Sequence, residues 1–439
     1  MKNEMLSKTD YALSLLMPAI LMVMTITHSA VYLYIVLGLA LLRITKPLVI
    51  LPVYFVASLS TEWFGLGTGI SSGRYLSIIL IVSLIIELFA SNKKRTSHNN
   101  IILIILFIVY CLFSCLFSVT GNMGTFFVIL QGLLILLLFS IRRNDDVSQL
   151  TNVFFYTATI VLLGVYVTIF TIGITQFMFT RMGAIDEIET NSNRIAMMMA
   201  QIGAIFGYTF FRERFKVKGI LSLVLYFATV FVIFITGSRT GVIAVLAPLL
   251  IMFLIMQRVK ARSIIISGIV LGAALYFSIG YIEEQDFAVM DRMSVQDVVE
   301  SGGSDRAAAI SVMWKHVFPS YPIFGVGLGG DNFNAVARNY GMDHPCHNIV
   351  FDSLCQLGII GFLLFLYVVL FYYRETYRCI AKDKVGLSIL GLFLLLTATF
   401  NGIGETVYLE KLFWNAVVIC VVGNNYTIIT TKAQKNGTV

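Results

Sequence analysis

What most constrains this chain is the recurrence of apolar stretches at or near the length that crosses a bilayer as a helix. About 20 apolar residues span a hydrocarbon core of ~30 Å. Such stretches occupy 10–26, 29–42, 47–60, 74–90, 100–118, 122–140, 152–173, 192–211, 219–235, 240–256, 263–281, 347–373, 386–402 and 411–430 of the 439 residues. The expected fold is therefore all-α, a polytopic membrane helix bundle, because a helix satisfies its backbone polar groups within the span itself. The count is fourteen, or twelve if the short 29–42 and 47–60 are re-entrant. A sequence 58% hydrophobic and only 13% charged lies outside the range of soluble globular domains. The first stretch has no small-residue cleavage site and is followed at once by further spans, so it reads as an anchor and not as a removed signal peptide.

Orientation follows from Lys and Arg, which are retained in cytoplasmic loops. With fourteen spans the clusters Lys93-Lys94-Arg95, Arg142-Arg143, Arg212 to Lys218, Arg258 to Arg262 and Arg374 to Lys384 share one side with Arg43, Lys46 and both termini. That side holds 22 of the 31 basic residues and 8 of the 24 acidic ones. The formal charge of +7 is thus a topology signal and excludes a nucleic-acid footprint. Six cysteines lie mostly in or beside spans; Cys111 and Cys115, four apart, read as packing and not as a metal pair. Only Cys346 falls in a loop outside, which gives no disulfide framework.

One long segment, 282–346, is polar and outside on this topology. The chain accordingly divides into N-terminal spans 1–190, further spans 191–281, the extracytoplasmic loop 282–346 with short helices, and C-terminal spans 347–439. Ser304 can cap a helix beginning near Asp305, with Ile310, Met313, Trp314 and Val317 on one stripe. Arg306, four residues before Ile310, shares that stripe. The run FGVGLGG places Gly325, Gly327 and Gly330 at the dinucleotide-binding spacing, but that motif needs a buried strand before it and a helix after it. Prolines 319 and 322 and an outer membrane face supply neither, so close approach of backbone to substrate or to membrane helices is the better reading.

Cations outside are scarce and therefore informative. Arg181 follows the seventh span, Arg194 opens the eighth, and Arg239 sits in ITGSRTG, where only a tight turn from Thr236 to Gly241 separates two spans. Each is either a phosphate ligand or a headgroup anchor. His347 and Asn348 stand at the mouth of a long apolar helix, where polar groups are costly without a role.

In their order, GSRTG between two spans, a long outer loop with Arg306 and Trp314, PIFGVGLGG, and HN followed by a span containing LGIIG resemble the shared C-terminal module of the O-antigen ligase and O-antigen polymerase superfamily, over about 190–430. The resemblance implies a membrane glycosyltransferase that takes a glycan from undecaprenyl diphosphate at the outer face of the bacterial inner membrane and joins it to an acceptor hydroxyl. It implies that Arg239, with Arg181 or Arg194, and Arg306 bind the diphosphate, and that His347 is the base. Asn348 and His344 are further substrate-binding candidates, His344 also being the alternative base. No metal or cofactor is expected, because guanidinium groups can stabilise a departing diphosphate bidentately, and histidine suits proton transfer near neutral pH.

The implied partners are the lipid-linked oligosaccharide, membrane lipids and a chain-length regulator membrane protein, with no nucleic acid. A polymerase of repeat units for O-antigen or capsular polysaccharide is the preferred reading. A ligase acting on lipid A-core is the alternative, and a lipid-linked oligosaccharide flippase the second. A flippase would more often carry charged residues inside its spans.

Overall fold

The computed structural model describes residues 6–59, 65–66, 70–90, 100–142, 147, 149–172, 182–185, 188–257, 304–381 and 386–435. The expected span 263–281, the loop portion 282–303 and Arg181 lie outside the described residues. The other thirteen apolar stretches coincide with helices: α1 (Lys8–Thr27), α2 (Ala30–Leu42), α3 (Pro47–Leu59), α4 (Ser72–Ala90), α5 (Asn100–Leu116), α6 (Gly124–Ile141), α7 (Leu150–Ile172), α8 (Ser192–Glu213), α9 (Val217–Ile235), α10 (Arg239–Gln257), and, after two short helices, α13 (Ile349–Ile380), α14 (Leu387–Asn401) and α15 (Lys411–Lys435). The short helices α11 (Ser304–Val312) and α12 (Gly330–Ala337) belong to the segment between α10 and α13. Two small antiparallel hairpins, Gly65–Leu66 with Ile70–Ser71 and Met182–Ile185 with Ile188–Asn191, precede α4 and α8. The protein is thus a polytopic membrane helix bundle.

Among the described residues, eight helices are long and apolar enough to cross a membrane on their own. At 13 residues, α2 and α3 rise only about 20 Å each, yet they are not re-entrant. Asp10, at the start of α1 and 2% exposed, pairs with Arg43 Nε at 3.1 Å and with Lys46 Nζ at 2.5 Å in the α2–α3 turn. That turn has therefore returned to the face where α1 begins. From there α3 runs to the opposite face, where Leu59 lines the cavity described below.

Glu87, near the end of α4 and 25% exposed, takes Arg142 bidentately at 2.5 and 2.8 Å. At the same face Arg212 donates to Thr151, and Lys218 reaches Asn152 at 2.6 Å. Helix α8 is the least apolar of the eight, with a mean hydropathy of 1.2, and the most enclosed, 89% buried. Protein, and not lipid, surrounds it.

The segment 304–346 packs as a small cap with its own apolar cluster: Ala309, Met313, Val317, Val326, Phe333, Ala337 and Cys346, closed by Cys355 of α13. The expected stripe holds for Met313 and Val317, which are fully buried, but Trp314 is 45% exposed. The helix widens to a π turn over Met313–Val317, and the added residue per turn rotates Trp314 out to meet Phe318 and Phe351 edge-on, at 5.2 and 6.3 Å.

The glycine run lies against a break in α13. Gly358 has φ 64° and ψ −175°, which interrupts the helix and releases carbonyls and amides that have no water to turn to. The run supplies the missing partners. Val326 N donates to Cys355 O and Gly327 N to Gln356 O, both at 3.0 Å, while Ile359 N donates to Pro322 O at 2.9 Å. The two backbones approach so closely that a Cβ on Gly325 would strike the Gly358 amide, and a Cβ on Gly358 would strike the Ile323 carbonyl. Both glycines have positive φ. Of the two roles left open by the sequence, close approach to a membrane helix is the one observed.

Candidate functional site

His347 is placed by the residues on either side of it. Asn348 caps α13, its Oδ1 accepting from Val350 N at 3.0 Å and Phe351 N at 3.4 Å. One turn on, the carboxylate of Asp352 accepts from the amides of Cys346 and Asn348, each at 2.9 Å. Between those amides His347 adopts φ 51°, in the left-handed region, which costs a residue with a Cβ about 1–2 kcal/mol. Charge-assisted hydrogen bonds to a carboxylate are each worth about 1.5–3 kcal/mol, enough to hold the imidazole where it is.

That position faces Glu405, in the segment between α14 and α15. His347 Nδ1 lies 3.2 Å from Glu405 Oε2, and Asn193 Nδ2 donates to the other oxygen at 3.3 Å. Burial opposes ionisation of Glu405, but the His347 hydrogen bond and the charges of His347, Arg194 and Arg306 outweigh it and hold the carboxyl below its ordinary value. An ionised Glu405 only accepts hydrogen bonds, so in the neutral form of the imidazole the proton belongs on Nδ1 and the lone pair on Nε2. Arg194, at the start of α8, pairs with Glu410 at 3.4 Å. These groups share a cavity of about 180 Å³ lined by Arg194, Met197, His347, Glu405, Thr406 and Glu410 together with Gly330, Pro345 and apolar side chains.

Arg239 is the first residue of α10 and is exposed. The expected turn is tighter than Thr236 to Gly241, because α10 already begins at Arg239: Gly237 has φ 65°, and Ser238 Oγ accepts from Gly241 N at 3.2 Å. Thr240 packs against Gly404, so Arg239 begins its helix beside the segment that carries Glu405. Arg306, half-buried in α11, is close enough to act on Glu405 electrostatically. His344 is roughly parallel to His347 with ring centroids 6.1 Å apart, and its Nδ1 is 3.1 Å from Pro345 O. Asn348 is committed at both ends of its amide, since Nδ2 donates to Ile403 O at 3.1 Å.

His347, His344, Arg194, Arg306 and Arg239 thus gather on one face of the bundle. Beside His347, the Cys346 thiol is pushed far up by burial and by the charge of Asp352, which removes it as a nucleophile. Glu405, Glu410, Asp352 and Thr406 were not singled out in the sequence. The available signal was that acids bordering apolar spans need partners, and that the outer face has few cations to offer.

No curated protein matches the sequence. Residues 221–366 match the family model described as O-antigen ligase. The matched stretch, about a third of the chain, runs from α9 into α13 and includes Arg239, Arg306, His344, His347 and Asn348, while Arg181, Arg194, Glu405 and Glu410 lie beyond it. Over those residues the chain is similar to the O-antigen polymerase and ligase superfamily.

Proposed function

We propose that this protein is an inner-membrane glycosyltransferase that polymerises oligosaccharide repeat units carried on undecaprenyl diphosphate, with its site on the periplasmic face and both termini in the cytoplasm. The observation that carries the reading is the His347–Glu405 pair at 3.2 Å, in a cavity that Arg194 also lines. His347 Nε2 takes the proton of the acceptor hydroxyl as its oxygen attacks the anomeric carbon of the donor glycan. The bond from that carbon to the phosphate oxygen breaks, and its electron pair leaves with undecaprenyl diphosphate. Arg194, Arg239 and Arg306 neutralise the growing charge, with Arg181 the remaining candidate for that role. His344 and Asn348 border the acceptor side. A donor lipid in the membrane is the partner this reading requires, and a chain-length regulator membrane protein is a further partner we propose.

The test is transfer by purified protein from a synthetic undecaprenyl-diphosphate donor across pH 5 to 8. His347→Ala should lower turnover about 10²- to 10⁴-fold while still binding the donor, and His344→Ala should be milder. Near-normal turnover in His347→Ala would assign the proton to another group. The ligase reading has one specific observation in its favour, the description of the matching family. Deleting the gene separates the two: single repeat units left on the core indicate a polymerase, and a core with none indicates a ligase.

A further inference from the structure

Three polar side chains follow one another at four-residue intervals on α13, and each reaches the segment between α14 and α15. Asn348 Nδ2 donates to Ile403 O at 3.1 Å, Thr406 Oγ1 donates to Asp352 Oδ2, and the Tyr408 hydroxyl donates to Gln356 Oε1 at 2.7 Å. On their other side the lower two also hold the outer loop. Asp352 accepts the Cys346 and Asn348 amides, and Gln356 Oε1 accepts Gly329 N at 2.9 Å. A four-residue interval keeps side chains on one helix face, so the row forms a polar seam between two loops that each carry half of the site.

Asp352 is the middle rung and is 1% exposed. It binds the amides on both sides of His347, and through Thr406 it binds the residue next to Glu405. We infer that Asp352 is the positioning residue of the site, setting the imidazole of His347 in register with the carboxylate of Glu405. This rests on the reading of His347 as proton acceptor. A carboxylate in the first turn of a helix also favours the helix dipole, which would be a purely structural role, so the test must separate positioning from capping.

The charged groups facing His347 are Glu405 from the α14–α15 segment, Arg194 from α8, Arg306 from α11, His344 from its own loop and Asp352 from α13. Asp352→Asn keeps the volume, loses the charge, and cannot accept both amides and the threonine hydroxyl as a carboxylate does. In the purified full-length protein it should lower kcat about 10- to 100-fold, the scale of a misplacement near 1 Å. Binding of undecaprenyl diphosphate, used as the probe, should stay within about threefold, because the arginines are untouched. The acid limb of the pH–rate profile should move to lower pH, since a carboxylate near an imidazole favours its protonated form. In a His347→Ala background the same change should cost nothing further, as for two residues acting through one step.

An unchanged kcat and profile would overturn the inference. So would a fall in kcat matched by an equal loss of binding-competent protein with the acid limb unmoved, which is the signature of a cap. If Asp352→Asn does not fold, Thr406→Val decides: about a tenfold loss of kcat with binding intact supports positioning, and normal kcat refutes it. His347→Ala run in parallel separates the two levels of failure. Near-normal turnover there removes the functional reading together with this inference, whereas normal turnover in Asp352→Asn beside an inactive His347→Ala removes only the positioning role.

Discussion

Glu405→Gln isolates the electrostatic half of the site without changing its shape. The side chain is 13% exposed and stands 3.2 Å from His347 Nδ1. A hydrogen bond to an ionised carboxylate contributes about 1.5–3 kcal/mol. His347 is about one-third exposed, and solvent screening places this pair at the lower end, about 1.5–2 kcal/mol. At 1.36 kcal/mol per decade, turnover should fall about 10- to 30-fold. A glutamine amide can also turn its NH2 toward Nδ1 and favour the tautomer that blocks Nε2, which deepens the loss.

The pH dependence distinguishes this from a general loss of structure. Because the folded value of Glu405 is depressed below its ordinary 4.5, its contribution is complete above that value and is lost only as pH falls through the lower folded one. Between pH 5 and 8 the carboxylate stays ionised, so Glu405→Gln should lower the rate throughout that window. The assay is transfer from a synthetic undecaprenyl-diphosphate donor by equal amounts of folded enzyme. A wild-type rate at any pH in the window would refute the claim that the carboxylate sets the imidazole, as would a deficit that appears only at one end.

Arg239→Ala should abolish glycan transfer in cells at normal protein abundance, and Arg239→Lys should rescue poorly because an ammonium lacks the two-pronged geometry; full activity in the alanine variant would leave only a headgroup anchor. Gly358→Ala combines a positive φ, about 1–2 kcal/mol, with a collision against the Ile323 carbonyl, about 1–3 kcal/mol for overpacking. Its unfolding temperature in detergent should drop by several degrees, and an unchanged value would mean that the break in α13 tolerates a Cβ.

Hydrophobic runs carried the helices almost residue for residue because a bilayer leaves the backbone few alternatives. The GSRTG turn was legible for the same reason, although the helix already begins at Arg239 within it. The shortness of α2 and α3 made them ambiguous, and only the ion pairs of Asp10 with Arg43 and Lys46 settle their course. Trp314 went the other way: helical spacing put it on the buried stripe, and a π turn, which local periodicity does not encode, put it outside. On the site face, cations stood out against a background depleted of them. Glu405 did not, because its partner His347 is 58 residues away and an acid between two apolar runs carries no local mark of the base it orients.

Four acids separate by what satisfies them: Asp10 and Asp352 are buried, while Glu87 and Glu405 are partly exposed. Asp10 and Glu87, on the face opposite the cavity, are each closed by a nearby cation. Asp352 is held mainly by backbone amides, which do not titrate and cannot be drawn away by a ligand. Glu405 is held by an imidazole, with two arginines acting on it through space; these groups exchange protons or anionic partners. A diphosphate entering the cavity would compete with Glu405 and Glu410 for those arginines, and a proton arriving on His347 would strengthen its bond to Glu405. Glu405 is thus the acid whose surroundings change during a turnover, while Asp352 is the acid whose surroundings stay fixed. The division of labour between them follows from amide donors on one side and titratable donors on the other.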